Sequence, residues 1–89
     1  MKLKLLTPEK SILERDVLSV TLPGSDGQLT IMDGHDFLVT TLKKGALYFQ
    51  YLDKDNRLSR SDYTVESGLA EIIKNVVTVF MDQSPSIRA

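Results

Sequence analysis

No cysteine and no tryptophan occur anywhere in the 89 residues. Without thiols there are no disulfides, no thiolate metal sites and no thiol nucleophile. Histidine appears once, as His35. An excess of one charge is also lacking: 11 basic and 12 acidic residues leave a formal net charge of −1. A phosphate-rich partner needs a concentrated positive field, so nucleic acid is not expected as the main partner. Long apolar runs are missing too. The opening "MKLKLL" is far too short for a signal peptide or a membrane span, so the sequence reads as intracellular and soluble. A chain of this length buries only roughly 60–65% of its unfolded surface, enough for one core and too little for a deep substrate cavity.

What the sequence does contain is alternation. Leu18, Val20 and Leu22 alternate with Ser19 and Thr21; Leu29 and Ile31 flank Thr30. Leu47, Phe49 and Tyr51 fall on one side of an extended chain, with Ala46, Tyr48 and Gln50 on the other, and Tyr63 and Val65 continue the pattern. Period two marks half-buried strands, because successive side chains face opposite ways. Turn residues punctuate the runs. "LPGSDGQ" separates two strands, "MDGH" places Gly34 where positive φ is useful, "KKGA" breaks at Gly45, and "DKDNR" closes a hairpin from Tyr51 to Leu58. Short strands at this spacing predict an all-β sandwich or barrel. No linker or second domain is visible.

One segment fits two templates. In "GLAEIIKNVVTVFMD", Leu69, Ile72, Ile73, Val76, Val77 and Phe80 recur at helical spacing. The same stretch is rich in β-branched residues and carries Lys74-Asn75 where a turn fits. Periodicity leaves the readings even; composition favours two strands.

Motifs for catalysis fail one by one. "PGSDG" lacks the Lys-Ser/Thr pair of a phosphate-binding loop. "DKDNRLSRSDYT" starts like a calcium loop, then has Arg57 at a ligand position, no central glycine, and Thr64 where the closing glutamate belongs. No "GxSxG" exists for a serine nucleophile. A metal at His35 would depend on Asp33 and Asp36, too close in sequence to converge easily on one ion. No cofactor, metal ligand or catalytic residue is therefore expected. The remaining reading is an interaction module. A free-standing sandwich that binds a small ligand is the alternative, but its six aromatics look mostly spent on the core.

The order of motifs resembles one family. "SVTLPGSDGQLTIMDGHDFLVTTLKKG" is similar to the "SVTLPGxEGExGVLPGHAPLLTALKPG" pattern of the epsilon subunit of F-type ATP synthases. "MKLKLLTPEKSILERDV" resembles its "LxVxTPExxxFxGxV" start, and "VESGLAEIIKNVVTVFMD" its "VSGGFLEVxxNxVTVLAD". The resemblance implies a flattened β-sandwich of about ten short strands over residues 1–89, with Leu69–Ile73 and Val76–Met81 as two strands. It also implies a non-catalytic rotor subunit. Such a subunit packs on gamma and on the c-ring, within a complex with alpha, beta and delta, and lies peripheral to the membrane. The expected location is the cytoplasmic face of a bacterial inner membrane, or the stromal face in chloroplasts.

Roles transfer by position. Thr7, His35 and Thr40 match positions facing gamma, and Gln28 matches a glutamate in a loop directed at the c-ring. Several residues depart from the pattern: Asp33 replaces proline, Asp36-Phe37 replaces Ala-Pro, Gln28 replaces glutamate, and Ser67 replaces the first glycine of a pair. Asp33, Gly34 and Asp36 are expected to lie at the same end of the sandwich as Gln28, where the two aspartates would restore its missing negative charge. The family's C-terminal helical pair is expected to be absent, since "QSPSIRA" has no length for it.

Overall fold

Alternating apolar side chains need a common interior, and the chain supplies one by folding a single sheet over on itself. The computed structural model describes residues 1–83 and, as backbone, 86–87. The strands are β1 (Lys2–Leu6), β2 (Ser11–Asp16), β3 (Ser19–Gly24), β4 (Gly27–Met32), β5 (Leu38–Leu42), β6 (Gly45–Leu52), β7 (Leu58–Val65), β8 (Gly68–Ile73), β9 (Val76–Met81) and β10 (Ser86–Ile87). No helix occurs among the described residues. Their lateral order is β10-β7-β6-β3-β5-β8-β9-β1-β2, with β4 beside β3. The step from β3 to β5 is a single pair, Gly24↔Leu42. There the sheet divides into two layers, one containing β4, β3, β6, β7 and β10, the other β5, β8, β9, β1 and β2. The expected all-β sandwich is present.

The interior is the set of positions that alternation assigned. Val20 and Leu22, Ile31, Leu47 and Phe49 come from the first layer; Leu3, Leu5, Ala70, Ile72, Val77 and Val79 come from the second, and all are essentially without solvent contact. Each fully buried Leu, Val or Phe contributes roughly 1.5–3 kcal/mol of transfer free energy. At the β2 side the layers are closed by Arg15, whose guanidinium lies 3.6 Å over the Tyr51 ring. Phe49 stacks on Tyr63 at a centroid distance of 6.1 Å and meets Tyr51 in a tilted contact at 5.8 Å.

The doubly readable segment is a hairpin. Lys74 and Asn75 have φ of 48° and 63°, the left-handed pair of a two-residue turn, and β8 and β9 pair from Ile73↔Val76 to Gly68↔Met81. Val77 and Val79 face the core. The helical spacing was a coincidence of two faces, since Ile72 and Val77 point inward while Leu69, Ile73 and Phe80 point out. The Tyr51–Leu58 hairpin also forms, closed by Leu52↔Leu58. Asp53 holds its turn: its carboxylate accepts from the N–H groups of Asp55 and Arg57 and from the Ser59 hydroxyl. The Arg57 N–H above all keeps this carboxyl below its usual range. The carboxylate that began the calcium-like motif is thus engaged by its own backbone.

Glycine is required at position 68. A Cβ there would stand 2.2 Å from the carbonyl oxygen of Phe80 across the ladder. Ser67, where the family pattern has another glycine, has room, and its hydroxyl donates to the Asp82 carboxylate.

Candidate functional site

Two outward faces result from this packing, and they differ. On the β3–β6–β7 layer the outward row is polar. Arg60 donates to both oxygens of Asp62, at 2.8 and 3.2 Å, and lies 3.8 Å over the Tyr48 ring. Gln28 donates to the Tyr48 hydroxyl at 3.4 Å, and Thr21 and Thr30 share a hydroxyl–hydroxyl bond of 2.9 Å.

The outward face of the second layer carries an exposed apolar row beside a more polar one, in which Glu71, Thr78 and Lys4 line up with Val39. The register Thr41↔Leu69↔Phe80↔Leu6 forms one cross-strand row, and Val39 stands in the next row, opposite Glu71. Phe80 is 44% exposed, Leu69 38% and Val39 47%. Ile73 is exposed at the far end of β8, and Phe37, 70% exposed, precedes Leu38, which pairs with Ile72. At the near end the patch runs into a groove of about 450 Å³, lined by Leu6, Thr7, Pro8, Leu42, Leu69 and Phe80 among others. Exposed Leu and Phe side chains that open onto a groove are a candidate interaction site. The aromatics are thus not mostly spent on the core: Phe37 and Phe80 lie at the surface.

The residues singled out from the sequence are spread along this structure. Thr7 follows β1 and borders the groove, where its backbone N–H donates to Lys10. Thr40 lies mid-way along β5, opposite buried Ala70, so it shares the inward side of that strand and is half-buried; Val39 and Thr41 point outward. His35 stands exposed on the turn between β4 and β5, its N–H donating to Met32 and its Nδ1 lying 2.8 Å from the Asp36 carbonyl. Gly34 takes φ of 85°, and its N–H donates to the Asn75 side chain at 2.8 Å, which anchors the turn to the β8–β9 hairpin.

The expected grouping of Gln28 with Asp33, Gly34 and Asp36 is overturned. Gln28 opens β4 opposite Pro23, whereas Asp33 follows Met32, which pairs with Ser19 at the other end of the same ladder. Five residues of extended strand separate them by about 17 Å. Asp33 instead lies 3.4 Å from the Met1 amino nitrogen, and the carboxylate at the Gln28 end is Asp26, in the β3–β4 turn. Sequence reasoning also missed the patch of Val39, Leu69 and Phe80. The signal was present as apolar residues on both faces of β8 and β9, where strict alternation fails.

Among the described residues no three His, Cys, Asp or Glu side chains are placed to hold a metal ion, and no helix is long and apolar enough to cross a membrane. The arrangement offers a sandwich with an exposed apolar row, a groove and a pinned turn.

The profile of the family described as "ATP synthase, Delta/Epsilon chain, beta-sandwich domain" matches residues 1–85. The chain belongs to this family. It is similar to the ATP synthase epsilon chain of Desulfatibacillum aliphaticivorans, with 35% identity over 92% of this chain and 55% of the relative. It is also similar to the chloroplastic epsilon chain of Thalassiosira pseudonana, at 37% identity over 92% of this chain and 58% of the relative. The chain thus spans little more than half the length of these relatives. The fold matches a chain in the Euglena gracilis mitochondrial ATP synthase structure (OSCP/F1/c-ring), with a TM-score of 0.78, 23% identity, and coverage of 93% of this chain and 51% of the other. A chain of the Tetrahymena thermophila mitochondrial ATP synthase central stalk/c-ring structure matches with a TM-score of 0.77 at 19% identity, covering 92% and 63%.

Proposed function

We propose that this chain is the sandwich domain of a non-catalytic central-stalk subunit of a rotary F-type ATP synthase. It packs on the gamma subunit and the c-ring, in a complex with alpha, beta and delta, and helps couple proton translocation to ATP synthesis. The observation that carries this reading is the exposed pair Leu69 and Phe80, with Val39 in the next row, running into the groove at Leu6 and Pro8. A domain of this family has its partner ready at hand, and an interface core is where exposed Phe and Leu side chains belong. We assign Val39, Leu69 and Phe80 to the gamma contact, with Thr7 at its groove and His35 on the β4–β5 turn; Thr40, on the inward side of β5, lies behind this contact and not in it. The β3–β4 turn with the Gln28 side chain forms the c-ring end, and Asp33, Gly34 and Asp36 belong to the opposite end. The subunit is peripheral to the membrane, on the cytoplasmic face in a bacterium or the stromal face in a chloroplast.

Co-expression with gamma tests the assignment. The two chains should co-purify and bury at least about 1,000 Å² together, the lower range for a specific interface. Leu69→Ala with Phe80→Ala should keep the fold and weaken the complex tenfold or more, as truncated anchors of about 1.4 kcal/mol do. Separate elution of the two chains at micromolar concentration would sink the reading.

A further inference from the structure

A sandwich has sheet edges as well as faces, and this one treats its edges unequally. β2 is protected in the usual ways: it carries Glu14, Arg15 and Asp16, and its register against β1 shifts between Leu5 and Leu6. β7 is flanked by β10. The outer edge of β5 is clamped at one end, where Ser25 donates to the Thr41 carbonyl at 2.9 Å and Lys43 to the Pro23 carbonyl at 3.0 Å. β4 has none of these protections. Its six residues, "GQLTIM", contain no charge and no proline, and among the described residues it pairs with β3 alone.

The register says which backbone groups are on offer. The hairpin closes at Gly24↔Gly27, a hydrogen-bonded pair in a two-residue loop, so the bonded pairs continue at Leu22↔Leu29 and Val20↔Ile31. Gln28, Thr30 and Met32 hold the alternate positions, and their backbone groups point away from β3. The Met32 carbonyl is taken by the His35 N–H. Three N–H groups and two carbonyls remain along the edge, in strand spacing.

Charge decides the occupant. Acidic residues bracket the strand, Asp26 before it and Asp36 after it, while Asp33 is held by the Met1 amino group. A second copy of this chain pairing antiparallel through β4 would set Asp26 towards the Asp36 end of its mate, and like charges facing each other across strands oppose that pairing. A segment with the opposite bracketing is favoured. We propose that β4 receives an extended segment of the gamma-type partner by strand addition. The segment is uncharged over its central residues and carries a lysine or arginine at each end, the mode in which main-chain bonds give affinity to an open sheet edge. The inference rests on the central-stalk reading and specifies how that partner is held.

The test is amide exchange of the full chain alone and in complex with gamma, followed at Gln28, Thr30 and Met32. Fast exchange in the free chain, slowed at least a hundredfold in the complex, is the expected result. Thr30→Pro removes one outward N–H without touching the β3 ladder, a position where a strand tolerates proline. It should weaken gamma binding at least tenfold. Thr30→Val, which loses only the hydroxyl bond to Thr21, should bind like the parent. A complex that forms with these three amides still exchanging as in the free chain overturns strand addition and leaves the partner reading standing. Failure of the unaltered chain to bind gamma at all overturns both. The exchange measurement uses the parent chain, so it decides the matter even where the proline variant fails to fold.

Discussion

Replacing Gly68 with alanine adds one methyl group, and the structure sets its cost. The new Cβ would stand 2.2 Å from the Phe80 carbonyl oxygen, 3.2 Å from its carbon and 3.3 Å from the Met81 Cα. Ordinary C···O contacts lie near 3.3 Å, so β8 and β9 must part by about 1 Å at this register. All three obstructing atoms are backbone, so no side-chain rotamer can relieve the clash. Strain of this kind costs roughly 1–3 kcal/mol. The separation also stretches the Ser67–Asp82 contacts that tie the ends of the two strands, at roughly 0.5–1.5 kcal/mol for each bond lost. A total of about 2–4 kcal/mol is a large share of the roughly 5–13 kcal/mol expected for a domain of this size. In urea the midpoint of G68A should fall with the slope unchanged, the signature of lost stability without altered compactness. S67G, which removes the hydroxyl and relieves nothing, should lose about 1 kcal/mol or less. A G68A midpoint within error of the parent would refute the claim that glycine is there for the close approach of β8 to β9.

Other outcomes follow from the same geometry. Val79→Asp buries a charge beside Leu5 and Ala70 and should cost roughly 3–5 kcal/mol, whereas Val39→Asp on the outward face should leave the thermal midpoint within a few degrees and reduce gamma binding; paired melting and binding curves check both. Asn75→Ala should cost about 1–2 kcal/mol by chemical denaturation, because Ala pays to hold positive φ and the Gly34 N–H loses its acceptor. Asp53 has a folded-state pKa below its unfolded one, so its stabilising contribution is present above about pH 4 and disappears as pH falls through the lowered value. Denaturation of the parent and of Asp53→Ala across pH 2–7 should therefore converge at the acid end; a constant difference would contradict the role given to its turn.

Alternation carried most of the fold because most strands have one wet and one dry face. Val20, Leu22, Leu47 and Phe49 could be assigned to the interior from their neighbours Thr21 and Tyr48 alone. It failed at Leu69, Ile73 and Phe80 for a physical reason: residues apolar on the outward side erase the period that identifies a strand. The ambiguity of that segment and the location of the candidate site are therefore one fact. Tertiary placement was beyond local pattern. Gln28 and Asp33 are five residues apart and were grouped by loop adjacency, but an intervening strand carries them to opposite ends. The partner of β1 was likewise invisible, because no feature of "KLKLL" names a strand more than seventy residues away.

That distant pairing bears on how the domain responds to force. β1 and β9 run parallel, with Lys2 beside Val76 and Leu6 beside Phe80. A pull applied at Met1 and at Asp82 therefore acts at opposite ends of neighbouring strands. It loads their five paired positions in shear, all at once. The β8–β9 hairpin pulled at Gly68 and Met81 would instead open like a zipper, one pair at a time. Along its own strand axis the sandwich is built as a stiff link, and tension between its first and last long strands meets the whole ladder together.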